Sequence, residues 1–226
     1  MVPFWLHILA MLSLALSFFM AMAVAVHVNH HPQRMKIMNL VWPLTALYGG
    51  VFGFWFYGRY GHAHGKAPFP VSVAIGTTHC GAGCTLGDIV AEWLCFGVPA
   101  VAVWFGWQSL FAEKMFAVWI VDFIFAFAIG IVFQYFAIAP MRGLGLREGL
   151  IAALKADTLS LIAWQAGMYG FMALAQSLYF RPLLGKMLEV NTAEFWFTMQ
   201  LAMLAGFIAS YPVNWWLIRS GIKEKM

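Results

Sequence analysis

The chain has 226 residues, of which 63% are hydrophobic, 17% aromatic and only 10% charged, with a formal net charge of +4. Soluble domains carry about 25% charged residues, so an ordinary soluble domain is excluded. No basic run interleaved with aromatics supports a nucleic-acid surface either. Three cysteines are too few for a disulfide framework. The composition predicts an integral membrane protein that works within or at the edge of a lipid bilayer, and its 11 Trp and 7 Tyr suit interfacial belts.

Residues 4–26 form the first apolar run, long enough to span at about 1.5 Å per residue. A-M-A-V-A resembles a cleavage site. With no preceding Lys or Arg and an overlong apolar core, the run reads as a retained helix. A polar turn follows and carries His27, His30 and His31. Residues 1–36 are thus an N-terminal helix and turn, and 37–226 a membrane domain of about five further spans. The second run, 37–59, holds Pro43 and a G-x-x-x-G at Gly49 and Gly53, a spacing that permits close helix contact. The next loop carries His62 and His64.

Residues 71–107 would make a straight helix of roughly 55 Å, far longer than a bilayer core. Gly76, Gly81, Gly83 and Gly87 punctuate it, so a broken stretch (71–85) leading into a span (86–107) is expected. A fourth span covers 115–138 and contains Asp122 and Gln134. The fifth, about 147–180, brings in Asp157 and Gln165. Asn191 or Thr192 caps the last, 193–218, and the tail R-S-G-I-K-E-K-M reads as solvated. The fold class is an all-α polytopic bundle of about six spans, with its third segment broken at glycines. Six spans place both termini on one side, and Lys and Arg divide seven to five in favour of the cytoplasm.

All three cysteines fall between Cys80 and Cys95. Counting in fours from Cys80 reaches Cys84, Asp88 and Glu92, which on a helix share one face. Ionisable groups at membrane depth are costly and mark functional sites. His79, Cys80 and Cys84 form a candidate soft-metal site, because thiolate and imidazole select Cu(I), Zn(II) and similar ions. As a competing reading, free cysteines are small apolar fillers. Asp88 and Glu92 form a candidate proton or charge relay, or a pair satisfied by Lys155, Arg142, Gln134 or Gln165. Asp122 and Asp157, near predicted interfaces, read as structural. Met168, Met172, Met199 and Met203, with His27, His30, His31, His62 and His64, would extend a metal path, one histidine cluster on each side. Methionines are otherwise gap fillers. His7 is a possible haem ligand, or a ring hydrogen-bonded to a neighbour.

T-H-C-G-A-G-C-T-L-G-D (78–88) resembles the signature of a bacterial integral-membrane family known only as domain of unknown function 4396. The closing G-F-I-A-S-Y-P-V-N-W-W-L-I-R-S-G-I-K-E-K-M is similar to that family's C-terminal signature, and the similarity spans roughly 40–226. The resemblance implies no activity. It favours copper, because relatives occur joined to copper-oxidase-like modules, and it makes such a protein or a metallochaperone the expected partner. The expectation is therefore a bacterial inner-membrane protein handling a soft ion, foremost Cu(I), by transport or delivery. Its rivals are a thiol–disulfide or quinone-linked oxidoreductase using Cys80 and Cys84, and a subunit that only assembles.

Overall fold

The computed structural model describes residues 2–61 and 67–225. Among them the elements are helical: α1 (Phe4–His30), α2 (Met38–Tyr60), α3 (Phe69–Gly97), α4 (Pro99–Trp104), α5 (Lys114–Arg142), α6 (Leu146–Leu174), α7 (Arg181–Leu184) and α8 (Ala193–Arg219). A π-helical stretch, Ala175–Phe180, joins α6 to α7. Among the described residues, five helical stretches are long and apolar enough to cross a membrane by length and composition: α1, α2, α5, α6 with its continuation to Leu184, and α8. Large apolar side chains such as Phe19, Phe52, Ile124 and Ile208 face outward, while Asp88, Asp122, Asp157 and Asn214 are buried. Apolar outside and polar inside is the distribution of a membrane protein.

The bundle has two ends. His7 meets Glu194 at 2.7 Å, Trp93 stacks on Trp196, and Lys114 donates to the Cys95 carbonyl at 2.9 Å. The starts of α1, α5 and α8 and the end of α3 therefore share one end, called here the head. At the other, the tail end, the Phe69 and Trp215 rings are 4.7 Å apart, and the Arg142 guanidinium pairs with Glu224.

α2 does not cross between these ends. Gly50 adopts φ 52 and ψ −131, and the helix folds back on itself there. The Trp42 ring lies 5.5 Å from that of Tyr57, fifteen residues away, which in a straight helix would be about 22 Å along the axis. Gly53 packs against Thr45 so tightly that a Cβ would sit 2.3 Å from the Thr45 carbonyl oxygen. The close helix contact that the G-x-x-x-G permits is made at Gly53, within this hairpin. Gly49 has nothing within 4 Å of where its Cβ would be. The carbonyl of Leu47, near the turn, accepts from Gln200 Nε2 at 2.9 Å, and Gln200 Oε1 accepts from Ser13. Irregular backbone at membrane depth is tolerated only when protein satisfies it in this way.

Two expectations are corrected. The second segment is not a straight helix: it folds back at Gly50 and both begins and ends at the tail end, with Tyr57 bonded to His27 at 2.8 Å. Five helices (α1, α3, α5, α6 and α8) then join the two ends, which puts the chain termini at opposite ends. The third segment is also not broken: α3 runs without interruption from Phe69 to Gly97 and stops before Pro99. Its glycines are packing notches. A Cβ on Gly81 would meet the Trp164 ring at 2.3 Å, one on Gly83 the Gly130 backbone at 2.8 Å, and one on Gly87 the Ala126 backbone at 2.4 Å. The helix cost of glycine, about 1 kcal/mol each, is outweighed by backbone approach of this kind. α3 becomes the central helix, packed by α2, α5, α6 and α8 and buried at every residue from Ile75 to Thr85.

Candidate functional site

Being enclosed, α3 has no lipid face along its middle, so its polar residues point into protein. Three threonines are satisfied locally: Thr77, Thr78 and Thr85 donate to the carbonyls of Val73, Ile75 and Gly81 at 2.7–2.8 Å. His79, Cys80, Cys84, Asp88 and Glu92 remain, as a buried file along the helix.

At the tail end of the file the partner comes from the C-terminal tail. Gly221 (φ 72) reverses the chain after α8, and the Ile222 and Lys223 amides donate to the Leu217 carbonyl at 3.0 and 3.2 Å. This turn sends the Lys223 side chain into the bundle, past Gly76, until it is wholly buried. The tail expected to be solvated thus plugs the interior. The ammonium lies 2.5 Å from Asp157 Oδ1, 2.8 Å from Asn214 Oδ1 and 3.1 Å from Cys80 Sγ. The Cys80 thiol donates to Asp157 Oδ1 at 2.9 Å. Asn214 is oriented by its surroundings: Nδ2 donates to the Ser210 hydroxyl (2.9 Å) and carbonyl (3.1 Å). Ser160 Oγ donates to Asn214 Oδ1 at 3.0 Å, leaving the amide oxygen aimed at the lysine. Burial alone pushes the Lys223 pKa down, but Asp157 and Cys80 outweigh it and hold the ammonium above its ordinary value.

His79 sits beside this cradle, its ring 6.1 Å from that of Phe133, and neither nitrogen has a hydrogen-bond partner among the described residues. The register that sets Gly83 against Gly130 and Gly87 against Ala126 brings Gln134 level with His79. The Gln134 amide is also buried and without a partner. Towards the head end, Gln165 donates to Asp88 Oδ1 at 3.2 Å, while Asp88 Oδ2 and both oxygens of Asp122 have no hydrogen-bond partner among the described residues. The same register sets Asp122 level with Ala91, within electrostatic reach of Glu92 and Asp88. The carboxylate pair read from the sequence is therefore three carboxyls. Of the proposed partners only Gln165 reaches Asp88; Lys155 is exposed, and Arg142 is engaged by Glu224. Asp122 and Asp157 are both wholly buried within the bundle.

Cys80, Cys84 and Cys95 are free thiols. Met168, Met172, Met199 and Met203 belong to the same buried cluster as Cys80 and Cys84, with Met203 Sδ 3.7 Å from Thr85 Oγ1. Among the described residues no group of three or more His, Cys, Asp or Glu is arranged to hold a metal ion. His27 bonds to Tyr57 and stacks on His31, and His30 is exposed, all at the tail end. His62 and His64 lie outside the described residues. His7 is bonded to Glu194.

Asn214 has a faint sequence signal, one amide inside the apolar run Y-P-V-N-W-W-L-I. Lys223 has none, because a lysine in a polar tail looks solvated. No curated protein and no solved structure matches the chain. A family model described as "Domain of unknown function (DUF4396)" matches residues 71–223, which takes in nearly all of α3, the Asp88, Glu92 and Asp122 carboxyls, Asp157 and Lys223, and the chain belongs to that family.

Proposed function

We propose that the protein passes a small cation across a bilayer along α3, with Cu(I) as the cargo that suits its donors. The observation that carries this reading is the buried file itself. Acceptors and carboxyls line one helix from Cys80 to Glu92 inside a bundle whose exterior is apolar. Cys80 and Cys84 offer soft sulfur ligands, His79 has both ring nitrogens free, and four methionines share the cluster. Cu(I) arriving at Cys80 would replace the Lys223 ammonium charge for charge. Asp88, Glu92 and Asp122 would hold the protons that balance its passage towards the head end.

Orientation follows from charge. Among the described residues, Arg34, Lys36, Arg59, Arg142, Arg147, Arg219 and Lys225 gather at the tail end, and Lys114, Arg181 and Lys186 at the head end, seven against three. The positive-inside rule then puts the C-terminus in the cytoplasm and the N-terminus outside.

The test is Cu(I) stoichiometry on detergent-purified protein, by competition with a chromogenic chelator. Cys80→Ser and Cys84→Ser should abolish binding, Cys95→Ser should leave it unchanged, and His79→Ala should weaken it. Both single variants binding like wild type would remove the soft-metal reading. A reversible Cys80–Cys84 disulfide with a measurable potential would replace it with the oxidoreductase reading.

A further inference from the structure

A lysine ammonium buried with no solvent contact has to be bound as a ligand is bound. Lys223 meets that demand with one carboxylate oxygen, one amide oxygen and one thiol sulfur, each on a different helix: α6, α8 and α3. None of the three depends on the tail for its position. Asp157 also holds the Cys80 thiol, and Asn214 is fixed by Ser210 and Ser160. Ser210 in turn donates to the Ser160 carbonyl at 3.0 Å. The tail contributes only a flexible stem running past Gly76, where no side chain obstructs it. Asp157 Oδ2 has no partner, so the carboxylate has acceptor capacity to spare.

We infer that Cys80, Asp157 and Asn214 form a binding site for a monovalent, ammonium-like cation, which Lys223 occupies as a tethered ligand and which a free cation takes once Lys223 is gone. The inference rests on the cradle alone and not on translocation. A tethered occupant has a high effective concentration, so a free amine, which forms no bond to sulfur as Cu(I) does, is excluded from the intact chain and admitted when the stem is cut back.

Lys223→Ala removes three methylenes and the ammonium, the volume and charge of n-propylammonium, which is the probe. The full-length Lys223→Ala protein in detergent is melted with and without n-propylammonium chloride, with n-propanol and tetramethylammonium as neutral and oversized controls. Propylammonium should raise Tm by roughly 3–5 °C for each tenfold excess over its Kd. The controls should not, and wild type should not respond. The Lys223→Ala/Asp157→Asn protein, which has lost the anion, should fold without the amine and ignore it. An equal shift in wild type or in the double variant, or a propanol effect matching that of the amine, overturns the inference. So does a Lys223→Ala chain that gives no folded protein even when expressed and extracted with propylammonium, provided the double variant folds. Amine binding in a protein that moves no cation into vesicles would uphold the site and end the transport reading; transport without amine binding would do the reverse.

Discussion

Replacing Lys223 by methionine isolates the energetics of the buried pair, because most of the stem volume stays and only the charge leaves. Asp157 and Lys223 are both 0% exposed in the pair. After Lys223→Met, Asp157 Oδ1 keeps only the Cys80 thiol, and Oδ2 has no partner already. Breaking a buried pair from one side costs about 3–5 kcal/mol, since the stranded charge keeps its desolvation cost. At about 2–4 °C per kcal/mol for a chain of this size, Tm should fall by about 6–20 °C, read by tryptophan fluorescence on detergent-purified protein. Asp157→Asn strands the ammonium and should cost a similar amount. The double variant neutralises both partners and should recover most of the loss, a non-additivity of several kcal/mol. The pH dependence is fixed in sign. Asp157 and Cys80 hold the Lys223 pKa above its ordinary value of 10.5 despite the opposing effect of burial. A raised pKa gives stability that is complete below the unfolded value and lost only as pH rises through the folded one. The Lys223 contribution should therefore be flat from about pH 6 to 9 and fade only in stronger alkali. A Lys223→Met protein within about 1 kcal/mol of wild type, or a double variant as unstable as the two singles summed, would refute the reasoning.

Reporter fusions should place residue 225 and the 31–36 turn in one compartment and residue 2 in the other; a shared compartment for both termini would disprove the re-entrant α2. Gly87→Ala drives a Cβ to 2.4 Å from the Ala126 backbone and should cost several kcal/mol, whereas Gly170→Ala meets nothing within 4 Å and should be neutral or stabilise by up to about 1 kcal/mol. Gly50→Ala, at φ 52 with Ser17 Oγ 3.0 Å from the added Cβ, should cost about 1–2 kcal/mol by thermal melting. Asp88→Asn and Glu92→Gln should leave the protein folded while removing the pH dependence of cation flux into vesicles; an unchanged pH response in both would rule the relay out.

Composition alone dictated an all-helical membrane protein, because a chain with so few charges and such long apolar runs has no other way to satisfy its backbone in lipid. The spacing of Cys80, Cys84, Asp88 and Glu92 likewise dictated a shared face, since helical periodicity is a local property. The same local reasoning misread the glycines of α3 as breaks, because propensity reports what glycine costs a helix and not what a neighbouring backbone gains by touching it. It read α2 as one straight helix, since length and hydropathy are the same for a straight helix and for one that turns back at Gly50. Only the tertiary structure added Asp122, Asp157, Asn214 and Lys223 to the site. They lie tens of residues from Cys80 in sequence, and a lysine's burial is decided by whether other helices supply acceptors at the depth its stem can reach. That is a property of the assembled bundle, and the tail sequence carries no trace of it.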